Sequence, residues 1–236
     1  MRDECLICKA PLEYLTEDLL MECAVCHREE TSKTRCVNGH YVCSECHTAG
    51  IDAILSLCLS RTDRDPIAIL EAMMAMEFCH MHGPEHHTMV GAALLTACKN
   101  AGGAIDLPKA LLEMFRRGKA GPGGVCGFWG ACGAGISTGM YVSILTGSTP
   151  LSEGSWGDSN RMTSQALNQI SRHGGPRCCK RNSYLAVLEA AAFTKERFGI
   201  ELEPGTPVCS RSHLNHQCRK SACPFHPELP SSAGGR

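Results

Sequence analysis

The residues of this chain best suited to chemistry are thiols arranged in pairs. Two Cys-x-x-Cys motifs stand 14 residues apart, and each can place two sulfurs on one tight turn. A further run adds three thiols and one imidazole. The candidate ligands are Cys5, Cys8, Cys23, Cys26, Cys36, His40, Cys43 and Cys46. Four such ligands close a tetrahedron around zinc, so residues 1–47 predict a structural module with about two zinc ions.

Two pairings of these ligands remain open. In the sequential arrangement, the first four cysteines hold one metal ion and the last four ligands hold the other. In the cross-brace arrangement, Cys5 and Cys8 join Cys36 and His40, and the other four ligands form the second site. We favour the sequential arrangement, because the first four cysteines alone match a zinc ribbon whose two short strands lie between them. Too few residues surround either site for the module to fold without metal.

A second group of candidates is the histidine-rich stretch FCHMHGPEHH, residues 78–87. Imidazoles can bind metal or exchange protons near neutral pH. They can equally belong to a polar loop between helices. His86 and His87 are the better candidates for catalytic residues, because they lie where the next apolar helix begins.

A glycine-rich stretch, residues 121–139, presents two more cysteines. Glycines at this density let backbone amides approach a bound anion or cluster closely. Cys126 lies in the loop, before a helix that we expect to start near Gly130. Cys132, one turn inside that helix, fits packing or the role of a reserve ligand.

A second Gly-Pro loop, HGGPRCCKRN, repeats the arrangement before another helix. Cys178 and Cys179 are candidate ligands of an iron–sulfur cluster, which needs thiolates, backbone amides and little bulk. Lys180 and Arg181 beside them could lower a thiol pKa or hold a carboxylate, which makes them candidate catalytic residues.

The C-terminal segment carries Cys209, Cys218 and Cys223, the last followed by proline. This run resembles the ligand runs of iron–sulfur proteins. A third zinc site that uses His226 is the alternative for metal binding. A cysteine-rich segment that only packs on the helical part is the structural alternative.

Both loop regions resemble a known enzyme family. The stretches GVCGFWGACGAGISTGMYVSILTGSTP and CCKRNSYLAVLEAAAF are similar to the iron–sulfur L-serine dehydratase α-chain and its cysteine desulfidase relatives. The resemblance implies a helical enzyme with a [4Fe–4S] cluster on three cysteines and one iron open to activate a leaving hydroxyl or thiol. Cys126 matches the first ligand and Cys179 the last. The middle ligand is left open between Cys132 and Cys178.

A second resemblance spans most of residues 5–227. This range is similar to an uncharacterised cysteine-rich family of anaerobic microbes, sometimes fused to methyltransferases that depend on S-adenosylmethionine. The resemblance implies a methyltransferase as one candidate partner.

The composition narrows the class of protein. The chain has 236 residues, 17 cysteines and a net charge of −1. This charge provides no broad positive field, so we do not expect nucleic acid as a partner. No signal peptide and no apolar run of about 18 residues is visible, so we expect a cytoplasmic protein without a membrane segment. In that compartment thiols stay reduced, and cysteine clusters bind metal more often than they form disulfides.

Apolar periodicity predicts a mainly α-helical fold behind the zinc module. Asp65 followed by Pro66 is a typical helix start. We expect a helical domain at 48–200, a Cys/His-rich segment at 201–227 and a disordered tail at 228–236. The predicted helices cover residues 48–61, 65–78, 87–103, 106–119, 130–146, 158–172 and 182–198.

Two functions from different classes fit these motifs. The first is an iron–sulfur enzyme of the lyase, desulfidase or sulfur-transfer type that acts on a small carboxylate or thio-compound. The second is a non-enzymatic zinc-binding module that docks on a partner enzyme such as a methyltransferase, or delivers metal or sulfur to it. The partner is then a small-molecule substrate or an enzyme, and homo-oligomer formation stays open.

Overall fold

The fold is mainly helical, as the sequence predicts. The computed structural model describes residues 5, 10–24, 27–47 and 50–227, and within these it has nine α-helices and one two-stranded sheet. None of the helices in these ranges is both long and apolar enough to cross a membrane. The longer helices are α2 (Ile51–Ser60), α3 (Pro66–Met74), α4 (His86–Asn100), α5 (Leu107–Lys119), α7 (Gly133–Thr146), α8 (Gly154–Arg172) and α9 (Cys179–Phe198), and the two short ones are α1 (Ser44–His47) and α6 (Val125–Phe128).

The N-terminal module is built on one antiparallel hairpin. Strand β1 (Leu12–Glu22) pairs with β2 (Glu29–Cys36), with an irregularity in the register between Tyr14 and Leu19. The prediction that the segment between the first two cysteine pairs forms two short strands is wrong. That segment forms the single strand β1, whose partner comes only after the second cysteine pair.

Local sequence signals fix several helix starts. The Asp65 carboxylate accepts hydrogen bonds from the amides of Ile67 and Ala68 at 2.8 and 3.1 Å, which confirms the predicted cap of α3. Helix α9 begins three residues earlier than predicted. The Cys178 sulfur acts as its N-cap and accepts the amide of Arg181 at 3.5 Å.

Helix α4 lies at the centre of the helical domain and packs against α2, α3, α5, α7 and α9. Gly91 makes one of the close contacts of α4 possible. A Cβ atom at this position would lie 2.1 Å from the Met114 methyl carbon, and the Gly91 amide donates to the Ser137 hydroxyl at 2.9 Å. Because α4 is buried along most of its length, the domain has a core that does not depend on the N-terminal module.

The C-terminal segment belongs to the same core. It consists of extended chain with two short 3-10 turns, Ser212–Leu214 and Lys220–Ala222. Phe225 packs edge-on against Tyr184 of α9 with 5.2 Å between the ring centroids. Residues 201–227 therefore cover the start of α9. The predicted tail at 228–236 lies outside the described residues.

Candidate metal centres

Two compact ligand groups occupy the N-terminal module. Within each group, the ligand atoms all lie within 4.8 Å of one another, so each group could hold a metal ion. One group is Cys5, Cys36 and His40, and the other is Cys23, Cys43 and Cys46. This is the cross-brace order, and the favoured sequential pairing is wrong. The other two predicted ligands, Cys8 and Cys26, lie outside the described residues.

Strand β1 explains why the sequential pairing fails. Cys5 precedes the strand and Cys23 follows it, and the strand has 11 residues. A strand rises about 3.3 Å per residue, so β1 carries the two thiols to opposite ends of the hairpin. Cys5 then meets Cys36 at the end of β2 and His40 beyond it, whereas Cys23 meets Cys43 and Cys46, which come after β2.

Backbone amides already point at the sulfurs of both groups. The His40 amide donates to the Cys36 sulfur at 3.3 Å, in a turn that requires the positive φ of 83° at Gly39. In the second group, the Cys43 amide donates to the Cys23 sulfur at 3.3 Å and the Cys46 amide donates to the Cys43 sulfur at 3.4 Å. Such donors stabilise thiolates, which are the form that binds metal.

A cavity of about 450 Å³ lies between the module and the helical domain. Four thiols line it: Cys5 of the module and, from the helical domain, Cys126 of α6, Cys132 just before α7, and Cys179, the first residue of α9. The prediction that Cys132 lies one turn inside its helix is wrong, since α7 begins only at Gly133. The Asn182 amide donates to the Cys132 sulfur at 3.4 Å.

Three helix N-termini meet at this cavity. Helices α4, α7 and α9 start at His86, Gly133 and Cys179, and all three residues line the cavity wall. Each N-terminus carries partial positive charge and unsatisfied amides, so the cavity favours a negatively charged group.

The thiols themselves are poor nucleophiles without a bound cation. Burial raises the pKa of Cys126 and of Cys179, and the nearby sulfur of Cys132 raises both further. These thiols are therefore neutral near pH 7. Metal binding would displace their protons, which makes coordination the chemistry that this arrangement supports best.

His87 is the imidazole best placed for proton transfer in the cavity. Its Nδ1 hydrogen-bonds the Gly121 carbonyl at 3.1 Å, which leaves Nε2 as the acceptor nitrogen. Burial lowers the pKa of His87, so the ring is neutral near pH 7. Gly133 makes room for this ring, because a Cβ there would lie 2.2 Å from Nε2.

The cations of the Cys-Cys-Lys-Arg run do not reach the large cavity. Lys180 is fully buried, and Arg181 donates to the carbonyl oxygens of Gly174 and Pro176 at 2.8 and 3.3 Å. Neither residue lines the cavity, so their predicted role as carboxylate ligands there is not supported by their positions. Arg177 lines it instead, and stacks 4.8 Å above the Tyr14 ring of the N-terminal module.

A second, smaller cavity lies on the other side of the Cys-Cys pair. Four thiols line it: Cys178 from the start of α9, and Cys209, Cys218 and Cys223 from the C-terminal segment. The neighbouring residues Cys178 and Cys179 thus face two different cavities. Cys178 therefore does not compete with Cys132 for a place beside Cys126.

A family model matches most of the chain. It matches residues 54–226, and its description is a family of unknown function, DUF5714. The chain belongs to this family. The DUF5714 region contains the small cavity and the helical-domain wall of the large cavity, whereas the ligands of the N-terminal module precede it. Comparisons with curated proteins and with solved structures gave no match.

The DUF5714 region also contains a third group of metal-ligand type, which is Cys79, Glu85 and His86. A lysine already occupies the place that an ion would take. The Lys180 ammonium lies 3.0 Å from the Cys79 sulfur and 2.9 Å from His86 Nε2, and donates to the His80 carbonyl at 2.7 Å. All three donors of the ammonium are used, so this group is a buried charge cluster and not a metal centre.

The protonation states in this cluster follow from its contacts. His86 Nδ1 lies 3.0 Å from the Gly83 carbonyl and donates to it, so Nε2 accepts from Lys180. Burial and the Lys180 charge lower the pKa of His86 to about 3, which keeps the ring neutral. Burial raises the pKa of Glu85, but the hydrogen bond from His80 and the nearby imidazoles outweigh this and bring it to about 2. Glu85 is therefore the buried anion that balances Lys180.

Sequence reasoning missed three residues that matter for these sites. Arg177 immediately precedes the Cys-Cys pair, but a single arginine at that place carries no signal for a carboxylate site. Glu85 lies inside the histidine-rich stretch and drew no attention. Asn215 accepts a hydrogen bond from His82 at 3.3 Å and donates to the Cys178 sulfur at 3.7 Å, a link that no local spacing could have indicated.

Proposed function

We propose that this chain is an iron–sulfur enzyme of the lyase, desulfidase or sulfur-transfer type that acts on a small carboxylate or thio-compound. The large cavity is the proposed active site. The observation that carries the proposal is the convergence of three thiols of the helical domain and three helix N-termini on one space large enough for a small substrate.

The donor set of the cavity fits a polynuclear cluster better than a single ion. Tetrahedral zinc has Zn–S distances of about 2.3 Å, which keeps its ligand sulfurs about 3.8 Å apart. Among the described residues, no three cysteines of the helical part have sulfurs within 4.8 Å of one another. Cys126, Cys132 and Cys179 would hold the cluster, and Cys132 is the middle ligand that the sequence left open.

Such a cluster, when bound by three cysteines, supplies an iron with Lewis acidity for a leaving hydroxyl or thiol. The chain supplies the remaining functions. Arg177 holds the substrate carboxylate through its guanidinium. Nε2 of the neutral His87 ring accepts a proton from the substrate carbon next to the one that carries the leaving group. The Asn182 amide keeps its hydrogen bond to Cys132 and fixes the direction of that sulfur.

The N-terminal module completes the site as its outer wall. Tyr14, Lys33 and Tyr41 of the module line the cavity, and Lys33 lies 5.1 Å from the centre of the Phe128 ring across from it. This wall restricts water near the proposed reaction. The structural metal ions of the module therefore support the active site indirectly, by holding that wall in place.

The test uses anaerobically prepared full-length protein and β-hydroxy and β-thiol amino acids as probes. We expect keto-acid formation together with a change in the visible spectrum when the substrate is added. The triple variant Cys126→Ala, Cys132→Ala, Cys179→Ala should lose both signals. A triple variant that keeps the iron content of the wild type would contradict the proposal.

Two single variants separate binding from proton transfer. Arg177→Ala should raise KM with little change in kcat, because it removes a contact that is the same in ground and transition states. His87→Ala should lower kcat by about 10²–10⁴. Arg161→Ala is the matched control, since Arg161 also stacks on an aromatic ring, 4.8 Å from the centre of Phe193, but does not line the cavity.

A specific observation also favours the non-enzymatic function. Phe128 and Trp129 line the same cavity and are 43% and 65% exposed. Exposed aromatic side chains are typical of docking surfaces, so a partner enzyme could receive metal or sulfur here. Loss of affinity for a methyltransferase in a Trp129→Ala variant, with no turnover of any small substrate, would favour this second function.

A further inference from the structure

The small cavity beside α9 has the features of a second metal centre. Cys178, Cys209, Cys218 and Cys223 line it, and all four belong to the C-terminal segment or directly precede α9. Three of these residues are more than 25 residues distant from Cys178 in sequence, so only the fold assembles the group.

Backbone and side-chain donors point at the sulfurs of this group. The Cys178 sulfur accepts from the Arg181 amide at 3.5 Å and from the Asn215 side chain at 3.7 Å. The Cys218 sulfur accepts from the Lys220 amide at 3.4 Å. Hydrogen bonds to the ligand sulfurs are a general feature of iron–sulfur sites, where they tune the cluster and stabilise the thiolates.

Charge balance in the small cavity also suits an anionic centre. Four thiolates in a buried site require positive charge nearby. The guanidinium groups of Arg181 and Arg219 both line the cavity, and Arg181 is only 3% exposed. The rest of the wall includes Met81, Tyr184 and Phe225, which gives the centre an apolar surrounding.

We propose that Cys178, Cys209, Cys218 and Cys223 hold a second iron–sulfur cluster, distinct from that of the large cavity. Four protein sulfurs complete its coordination, so this cluster has no open iron for a substrate. It fixes the C-terminal segment on the start of α9. Its ligand Cys178 is the neighbour in sequence of Cys179, which lines the large cavity. A hydrogen bond of 3.3 Å also connects His82 in the wall of the large cavity with Asn215 in the wall of the small one.

A cluster fits the spacing of these sulfurs better than zinc does. No three of the four sulfurs lie within 4.8 Å of one another, whereas both groups of the N-terminal module meet that limit. His226 also lines the small cavity and is the alternative ligand for a zinc site. The proposal assigns His226 no coordinating role.

The test counts iron, sulfide and zinc per chain in anaerobically prepared full-length variants and records electron paramagnetic resonance spectra after reduction. The double variant Cys209→Ala, Cys218→Ala should lose about half of the iron and sulfide, as expected for one of two clusters, and keep all of its zinc. His226→Ala and the core variant Cys58→Ala should keep the wild-type iron content. Cys218→Ala alone, at a half-buried position, gives a milder version if the double variant folds poorly.

The outcomes separate this proposal from the proposed function. Loss of one zinc with unchanged iron in the double variant would overturn the second cluster. Loss of all iron in the double variant would support the second cluster and contradict the cluster of the large cavity. Unchanged iron and unchanged zinc would overturn the proposal for Cys178 and its partners.

Discussion

The N-terminal module and the helical domain use the same residue type in two different ways. In the module, ligands lie within 4.8 Å of one another and little apolar core surrounds them. In the helical domain, thiols are spread around cavities at the edge of a large core that includes α4 and α9. The comparison indicates that the N-terminal module needs bound metal in order to fold. The helical domain folds because it buries apolar side chains, and it would bind metal as a cofactor.

The largest effect should come from removing ligands of the module. The double variant Cys23→Ser, Cys43→Ser should lose one zinc ion and unfold the hairpin, because a structural zinc contributes about 10–16 kcal/mol. Hydrogen exchange should then be fast in β1 and β2 and remain slow in α4. The matched control is Leu20→Ala, at a position 68% exposed on β1. A hairpin that stays protected in the double variant would erase the contrast between the two regions.

The second effect concerns charge in the helical domain. Lys180→Met leaves the Glu85 carboxylate buried without its balancing cation, and should lower the free energy of unfolding by about 3–5 kcal/mol. Lys195→Met, at an exposed lysine that pairs with Glu201, should change it by less than about 1 kcal/mol. Urea unfolding of the zinc-loaded protein measures both. Equal effects from the two variants would show that the buried cluster does not stabilise the domain.

A third effect is a pH dependence that belongs to the helical domain. The pKa of His86 is about 3 when folded and about 6.5 when unfolded, so the unfolded chain binds a proton first as the pH falls. The contribution of His86 to the free energy of unfolding is complete above pH 6.5. It is lost between pH 6.5 and 3, by up to about 1.4 kcal/mol per pH unit. His86→Gln should remove this slope, since glutamine can still accept from Lys180. If His86→Gln keeps the wild-type dependence of the unfolding free energy on pH, the assignment of this dependence to His86 is contradicted.

The smallest effect is a difference in stability between two glycine substitutions, one at Gly133 of the large cavity and one at Gly127 of α6. In Gly133→Ala the new Cβ would lie 2.0 Å from the His87 ring, so the variant should lose about 1–3 kcal/mol and displace the imidazole. Gly127→Ala adds a Cβ with no atom within 4 Å and should be neutral or slightly stabilising. Thermal unfolding and the pKa of His87 by nuclear magnetic resonance would check both. A Gly133→Ala variant that matches Gly127→Ala would show that the ring has room to move.

Much of the helical domain could be predicted from the sequence, because periodicity and caps are local. Asp65 with Pro66 marks the start of α3, and the predicted helix at 106–119 corresponds to α5. The start of α7 was placed three residues early. Glycines near the start allow several conformations, and only the contact of Gly133 with His87 selects one.

The partnership of the cysteines could not be predicted, because it depends on long-range geometry. Ligand spacing alone suggested that Cys5 would pair with Cys23, and only the length of β1 separates them. Likewise, neighbouring residues such as Cys178 and Cys179 carry no local signal that they face different cavities. That signal comes from the turn into α9 and from the C-terminal segment that folds back over it.

A metal inventory of the anaerobically prepared protein tests the central claim most directly. Zinc, iron and sulfide should be counted per chain in the same sample, with its visible spectrum. The account predicts about two zinc ions in the module and about eight irons with matching sulfide in the two cavities. A colourless protein that holds only zinc, however many ions it binds, would contradict it.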